Sequence, residues 1–230
     1  MRRILALSLA VALLTAFWAC SSRDPDIDKP AHELAQNGMD EYAQKNYHKS
    51  IRYFEKLRDW YPFSKFAKLA ELKIADAHFN LEEYDDAIFA YQEFEELHPK
   101  NEAIPYVIYQ IGNSHFEQLS TIDRDQTAAH KAIESFERLI KTYPDDPQAE
   151  DARQKILTCR KSLAENQFYI GRFYYRIKQY KSALARFEGI VADWDDFPDI
   201  QAKARQLIPL CQAGLAKQIG NQGIFPNSTN

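Results

Sequence analysis

Residues 84–99 read YDDAIFAYQEFEELHP, and this stretch decides the fold. Ala87, Tyr91 and Phe94 recur at steps of four and three, so they share one face of an α-helix. Pro99 ends that helix, because proline lacks the amide hydrogen that a helix needs and disfavours a helical backbone at the preceding residue. The stretch therefore predicts an amphipathic helix with a fixed stop.

The same pattern occurs three more times along the chain. The equivalent positions hold, in order, a small residue, an aromatic residue, an apolar residue and a proline: Ser50, Phe54, Leu57 and Pro62, then Ala132, Phe136, Leu139 and Pro144, and finally Ala183, Phe187 and Ile190 without a proline. Four copies in one register indicate a repeat protein.

Each copy has a partner helix upstream, marked by a small residue before the small anchor. Twelve positions separate these pairs: Gly38 and Ser50, Ala75 and Ala87, Gly171 and Ala183. In the third copy Gly112 precedes Ala132 by twenty, which predicts an eight-residue insertion between the helices. Small residues let two backbones approach, and the aromatic residue then fills the space beyond them. The pattern resembles the tetratricopeptide repeat and predicts an all-α solenoid of four to five helix pairs.

Two longer segments complete the predicted solenoid. Residues 147–177 have no proline after the first position and could form one helix that joins the third repeat to the fourth. Residues 199–219 have apolar side chains at helical spacing and predict a capping helix, in which Pro209 should cause a kink or a break. The solenoid is expected to span residues 31–219, with a disordered tail over 220–230.

The first twenty residues have the features of a secretory leader. Two arginines precede a fifteen-residue uncharged run, which is shorter than the roughly 20 residues of a membrane-spanning helix. Residues 1–19 are therefore predicted to be a signal peptide. Cys20 lies in a sequence that resembles a bacterial lipobox, so we expect it to carry lipid. A plain signal peptide or a retained anchor are the alternatives, since Phe17 replaces the usual leucine.

The predicted mature chain is acidic. Loss of Arg2 and Arg3 with the leader takes the net charge from −4 to −6. This balance argues against a nucleic-acid partner, because phosphate groups demand clustered lysine and arginine. Residues 20–30 contain two prolines and no apolar periodicity, so they predict an extended tether between Cys20 and the solenoid.

Motifs for catalysis, nucleotide binding or metal binding do not stand out in the sequence. An enzyme is the least favoured class, and no cofactor is predicted. His78 and His115 occupy equivalent positions of successive repeats, but helix axes lie ~8–10 Å apart while zinc–nitrogen bonds are ~2.0–2.1 Å. Groove or packing roles are favoured for them over a shared metal. Cys159 and Cys211 could form a disulfide or remain buried thiols.

The predicted first helices carry two rows of side chains. One is aromatic, and each member follows its small anchor by four residues: Tyr42, Phe79, Phe116 and Tyr175. This row could bind an extended peptide, but packing on the second helix is favoured, since positions i and i+4 share a face. The other face supplies better groove candidates: Leu69, Leu72, Asp76, Asn80, Tyr106, Tyr109 and Asn113. A solvated polar face is the alternative for them.

Several short motifs resemble those of the BamD family of outer-membrane protein assembly lipoproteins. They are Tyr61-Pro62-Phe63-Ser64, the PYVIY of residues 105–109 with Gly112, Asp123-Arg124-Asp125-Gln126 before AIESFERLIKTYP, FYYR at 173–176 and ARFEGI at 185–190. The resemblance covers roughly residues 20–198. The Asp-Arg-Asp block is its most specific part and accounts for the insertion. The sequence departs from the family at Trp194, where the family has a Tyr-Pro pair.

This resemblance implies a non-enzymatic scaffold, lipid-anchored in the outer membrane and facing the periplasm. It would bind unfolded β-barrel proteins and a BamA-like barrel protein. The substrate-binding half would comprise Tyr61, Phe63, Leu72, Asp76, Tyr106, Tyr109 and Asn113. The partner-binding end would comprise Arg186, Glu188 and Arg172.

Two alternatives concern single residues in these sets. Phe63 could instead pack between the first two repeats, and Glu188 and Arg172 could instead hold Arg186 in an internal pair. The alternative function is a periplasmic repeat lipoprotein that coordinates cell-envelope or peptidoglycan proteins.

Overall fold

The computed structural model describes residues 29–222, and within that range it contains nine α-helices and no strand. The helices are α1 (Ala31–Ala43), α2 (Tyr47–Trp60), α3 (Ala67–Asn80), α4 (Tyr84–Leu97), α5 (Ile104–Glu117), α6 (Thr127–Thr142), α7 (Ala149–Arg176), α8 (Tyr180–Asp193) and α9 (Pro198–Gln222). The predicted all-α class is confirmed. The leader, Cys20 and most of the tether lie outside the described residues. Helix α9 continues three residues into the predicted tail, whose remainder also lies outside them.

The chain divides into two compact units whose boundary falls inside α3, between Ala70 and Glu71. In the first unit, α2 packs on α1 through an apolar stripe that includes Phe54 and Leu57, both fully buried. The hydroxyl of Ser50 donates a hydrogen bond of 2.9 Å to the carbonyl of Gly38. This bond joins the two small residues that the repeat pattern paired.

The second unit contains two buried apolar clusters. One extends from α3 to α7 and includes Tyr91 and Phe136, and the other joins α7, α8 and α9 around Phe187. Helix α7 contributes to both clusters, so its 28 residues serve two repeats. The prediction of one long helix here is confirmed.

A glycine faces an aromatic ring in three of the four helix pairs. A Cβ atom built on the glycine would lie 2.7–2.8 Å from ring carbons in each case: Gly38 on Phe54, Gly112 on Phe136 and Gly171 on Phe187. The sequence had predicted close backbones with the ring beyond them. The ring instead occupies the side-chain space of the glycine itself, which is the physical reason for glycine there.

Helices α2, α4 and α6 end two residues before a proline, as predicted. Their C-terminal capping residues leave the helical conformation, with φ near −130° at Tyr61, His98 and Tyr143. Helix α8 ends in the same way at Asp193, and Trp194 has φ −126° although Asp195 replaces the proline. The helix stop therefore does not depend on proline alone.

Helix α9 runs unbroken past Pro209, so the alternative of a break there is wrong. Proline removes one backbone hydrogen bond from the helix. Ala204 and Cys211 are both fully buried on either side of it, so tertiary packing holds the helix together.

The disulfide alternative is also wrong, because Cys159 and Cys211 are free, buried thiols. Burial raises the pKa of Cys159 to about 11 and also raises the pKa of Cys211. Among the described residues, none of the helices combines the length and the apolar character that crossing a membrane requires.

Candidate functional site

The aromatic row of the first helices packs against the second helices. Its rings meet a tyrosine at the start of the following helix edge-on: Tyr42 meets Tyr47 at 5.3 Å, Phe79 meets Tyr84 at 5.6 Å and Tyr175 meets Tyr180 at 5.8 Å. Edge-to-face pairs at such centroid distances are favourable. The packing interpretation is therefore supported over a peptide-binding ladder.

Asp76, predicted to line a groove, is a buried link between helices. The residue is only 3% exposed, and its carboxylate accepts hydrogen bonds from the hydroxyls of Tyr91 at 2.7 Å and Tyr106 at 2.8 Å. The ammonium of Lys73 lies 2.7 Å from its other oxygen. A buried carboxylate must satisfy its oxygens inside the protein. Asp76 therefore holds the side chains around it in place and is not exposed to a ligand. This corrects the prediction that Asp76 lines a groove.

Tyr109 and Asn113 belong to a second cluster, centred on Lys155 of α7. The Lys155 ammonium lies 5.3 Å from the ring centroid of Tyr109 and also contacts the Asn113 side chain. The Tyr109 hydroxyl donates to Asp151 at 2.5 Å, and Lys155 lies 3.5 Å from the same carboxylate oxygen. Partial burial and this carboxylate raise the pKa of Tyr109 above its ordinary value.

Gln110 joins the two clusters into one row. Its side-chain amide donates to the Tyr106 hydroxyl at 3.1 Å, and its carbonyl oxygen accepts from Asn113 at 3.3 Å. We call this set the polar row: Lys73, Asp76, Tyr91, Tyr106, Tyr109, Gln110, Asn113, Asp151 and Lys155. The sequence identified four of its nine members as groove candidates, namely Asp76, Tyr106, Tyr109 and Asn113. It placed Tyr91 on the apolar helix face and missed Lys73, Gln110, Asp151 and Lys155.

Leu72 and Asn80, the remaining groove candidates of α3 in this unit, differ in exposure. Leu72 is half-buried and packs on the apolar cluster beside the polar row. Asn80 is exposed, and its side-chain amide donates to the backbone carbonyl of Asp76 at 2.6 Å. Among the described residues, no buried side-chain polar atom lacks a partner. The polar row is therefore a rigid surface with its hydrogen bonds already made.

Tyr61 and Phe63 differ in their surroundings. Tyr61 is half-buried, and its hydroxyl donates to the backbone carbonyl of Lys29 at 2.9 Å, which joins the turn after α2 to the chain just before α1. Phe63 is fully exposed. The alternative of a packed Phe63 is therefore wrong, and this ring projects into solvent as the substrate-binding interpretation requires.

The three predicted partner-binding residues are all exposed but do not form one cluster. Arg186 donates to the side-chain oxygen of Gln167 at 2.5 Å, so its contact is neither Glu188 nor Arg172. Gln167 and Arg172 are five positions apart on α7, which turns them ~140° from each other. Arg186 of α8, which contacts Gln167, therefore lies on a different side of α7 from Arg172.

Arg172 lines an open apolar pocket between α7 and α9. The pocket has a volume of about 460 Å³ and is lined by Tyr169, Arg172, Phe173, Tyr175, Arg176 and Leu207. Tyr169 and Phe173 are 42% and 43% exposed, and the Arg176 guanidinium lies 5.9 Å from the Phe173 ring centroid. We call it the α7–α9 pocket.

A second pocket of about 330 Å³ shares Tyr169 and Arg172 with the first. Sequence reasoning missed both. The sequence did contain a signal for them on α7. Tyr169 and Phe173 are four residues apart, and so are Arg172 and Arg176.

Comparison with known proteins relates the chain to outer-membrane assembly factors. The YfiO family, described as outer membrane lipoprotein, matches residues 27–222. A relative from Caulobacter vibrioides is 28% identical over 80% of this chain, although the match spans only 61% of that relative. One from Pasteurella multocida is 24% identical and covers 94% of this chain and 86% of its own. Both are named outer membrane protein assembly factor BamD.

A solved structure has a similar architecture. The TPR2AB domain of yeast Sti1, in a complex with pHSP90, superposes with a TM-score of 0.51 over 83% of this chain and 76% of its own, at 15% identity. Such a likeness shows the fold alone, and it confirms the predicted tetratricopeptide type. Since the family match covers nearly all the described residues, the chain belongs to the YfiO family, to which the resemblance of its motifs had pointed.

Proposed function

We propose that this protein is a non-enzymatic scaffold in the assembly of outer-membrane β-barrel proteins. The family match and the names of the relatives support a role in that process. The observation that carries the proposal is the α7–α9 pocket, where two half-exposed aromatic rings lie beside two arginines. Aromatic residues and arginine are enriched in the energetic centres of protein interfaces.

The α7–α9 pocket is the proposed docking site for a BamA-like barrel protein. Tyr169 and Phe173 offer apolar surface that a partner side chain would cover, and Arg172 can make a two-pronged bond to a carboxylate. Arg186 and Glu188 are exposed on α8, outside this pocket, and would contribute separate charged contacts at the outer edge of the interface. A rim charge affects mainly the association rate and its salt dependence.

Unfolded β-barrel substrates are proposed to bind at the other candidate surfaces. Phe63 offers one fully exposed ring in the first unit. In the second unit, the polar row presents the ring of Tyr109 and the side-chain amide of Asn113, and Lys155 fixes both. A rigid tyrosine surface binds extended chains at low entropic cost.

Lipid on Cys20 is proposed to hold the scaffold at the periplasmic face of the outer membrane. This residue lies outside the described range, so the proposal rests on the lipobox-like sequence and on the description of the family. One acyl chain alone anchors only marginally, and stable anchoring takes two or more. Cys20→Ser should move the protein out of the outer-membrane fraction. An unchanged distribution would show a different anchor.

Photocrosslinking in cells tests the scaffold proposal. A photoreactive phenylalanine analogue at position 173 should capture a BamA-like barrel protein, and the same analogue at position 63 should capture nascent β-barrel proteins. Phe89 on α4 is a matched control, because it is also a phenylalanine and is 69% exposed.

Three outcomes would contradict the proposal. They are equal capture at positions 173 and 89, no barrel protein at either test position, or peptidoglycan synthases at position 173. The last would favour the envelope-coordination alternative.

A further inference from the structure

A histidine and two carboxylates meet at the turn between α3 and α4. His78 is near the end of α3, Glu83 immediately precedes α4, and Asp86 lies in the first turn of α4. One ligand-type atom from each residue lies within 4.8 Å of the other two. The closest pair is His78 Nδ1 and Glu83 Oε2, at 2.7 Å. None of the three takes part in the polar row or in the α7–α9 pocket.

The equivalent positions of the first repeat hold a different set of charges. There Glu41, Asn46 and Lys49 replace His78, Glu83 and Asp86, each by a shift of 37 residues. Asn46 donates to Glu41 at 2.8 Å, and the Lys49 ammonium lies 3.8 Å from the same carboxylate group. At the position equivalent to Asp86, which we call the third position, the first repeat therefore has the ammonium group of a lysine.

The third repeat also has a lysine at the third position. Lys131 immediately precedes the small anchor, as Lys49 and Asp86 do in their repeats. Burial and then the positive charge of Lys131 lower the pKa of His115, which is the counterpart of His78. Only the second repeat places a carboxylate where the first and third place an ammonium group.

The turn around this carboxylate is rich in negative charge. Glu82, Glu83, Asp85 and Asp86 give it four carboxylates within five residues. Carboxylates so close together create a negative potential that attracts cations. The second repeat therefore has side chains that can bind a positive ion. At the third position it has Asp86, where the first and third repeats have Lys49 and Lys131.

We propose that His78, Glu83 and Asp86 form a binding site for a divalent transition-metal ion, with Zn²⁺ as the best match. An imidazole nitrogen with two carboxylate oxygens suits zinc, whose ligands lie at ~2.0–2.2 Å. Calcium and magnesium prefer oxygen ligands alone and more of them. The ion would replace the hydrogen that His78 and Glu83 share, and the carboxylate of Asp86 would move toward it.

Metal binding at this site would join α3 to α4, as the Glu41–Lys49 pair joins α1 to α2. Because His78 and Asp86 lie on different helices, an ion that binds only the folded arrangement stabilises the fold. Three protein ligands also leave a coordination position for water or for a group from another molecule.

Zinc titration of the full chain tests the proposal. The detergent-purified protein, stripped with a chelator, should bind one Zn²⁺ per chain at this site by calorimetry, and its melting temperature should rise with zinc. Asp86→Asn should weaken that binding at least about tenfold, the loss that even outer-shell partners of a metal cause. Asp86→Lys, which restores the lysine of the first repeat, should abolish binding and leave the metal-free melting temperature nearly unchanged.

His98→Gln is the matched control. His98 Nε2 lies 2.5 Å from a Glu71 oxygen, and no third ligating group among the described residues joins this pair. This variant should bind zinc as the wild type does. The proposal would be overturned if the wild type bound no zinc, if Asp86→Lys bound it equally well, or if only His98→Gln lost binding.

Discussion

The ring of Phe136 occupies the space in which residue 112 would carry a side chain. A Cβ atom on Gly112 would lie 2.7 Å from a ring carbon of this fully buried phenylalanine. We therefore expect Gly112→Ala to lower the free energy of unfolding by ~1–3 kcal/mol, since overpacking outweighs the better helix propensity of alanine. Urea denaturation of the two proteins measures the difference.

Gly189 provides the matched control for this substitution. It lies within α8, and a Cβ atom there would meet nothing within 4 Å. Gly189→Ala should therefore stabilise the protein by ~0.5–1 kcal/mol, the usual gain in an open helix position. Equal effects of the two substitutions would show that the ring contact does not determine the choice of glycine.

Asp76→Ala should be among the most destabilising substitutions in the second unit. It removes the buried acceptor of two tyrosine hydroxyls and the partner of Lys73. Breaking a buried charge pair on one side typically costs ~3–5 kcal/mol. Asp151→Ala is the control, because this carboxylate also bonds a tyrosine and a lysine but is 54% exposed. Exposed pairs contribute ~1 kcal/mol or less, so similar losses would contradict the buried role of Asp76.

The protein should lose stability above pH 10 through Tyr91. Burial and then the nearby Asp76 carboxylate raise the pKa of Tyr91 far above its ordinary value. The unfolded chain therefore releases this proton from about pH 10, while the folded chain keeps it, so stability falls as the pH rises. The contribution of one such group is ~1.4 kcal/mol per pH unit.

Tyr91→Phe tests the assignment of this pH dependence. The variant should be less stable than the wild type at pH 8, because it loses a buried hydrogen bond, and the difference should shrink above pH 10. Denaturation at pH 8, 10 and 11 gives the comparison. Parallel pH curves for the two proteins would contradict the role of Tyr91.

Phe173→Ala and Arg186→Glu should weaken partner binding in different ways. Phe173 lies in the α7–α9 pocket, and loss of a central aromatic contact typically costs ~2 kcal/mol or more, mainly through faster dissociation. Arg186 is exposed, so its reversal should mainly slow association and should matter less at high salt. Kinetic binding to the isolated periplasmic domains of the proposed BamA-like partner at ~0.15 M salt separates the two effects.

Lys181→Glu, the same charge reversal at another exposed position of α8, is the control for Arg186. It should leave both rates close to those of the wild type. If Lys181→Glu and Arg186→Glu slowed association equally, only net charge would be involved. If Phe173→Ala bound as tightly as the wild type, the pocket would not be the docking site.

The repeat register could be predicted because it follows from the spacing of residues that are close together in the sequence. Phe136 falls seven positions after Ala129 and four after Ala132, and all three are fully buried on the face that this periodicity indicates. The helix stops before Pro62, Pro99 and Pro144 follow from the chemistry of one residue. The stop at Trp194 shows that the stop also occurs without proline.

The sites were harder to predict because their members come from distant parts of the chain. Asp76 finds its hydroxyl partners 15 and 30 residues away, so a polar residue on a helix face gave no sign of burial. The α7–α9 pocket depends on where Leu207 of α9 lies against α7, which no spacing within α7 encodes. The periodicity located the faces but not the contacts between helices.

Helix α7 also has a consequence for how the protein unfolds. In a stack of separate helices, local opening can stop at a connecting loop, since each repeat contacts only its neighbours. Helix α7 has no such loop between Ala152, which packs with the third repeat, and Gly171, which receives the ring of the fourth. The two repeats should therefore form one cooperative unit, in which the amide hydrogens of α6 and α8 exchange with solvent in the same opening event.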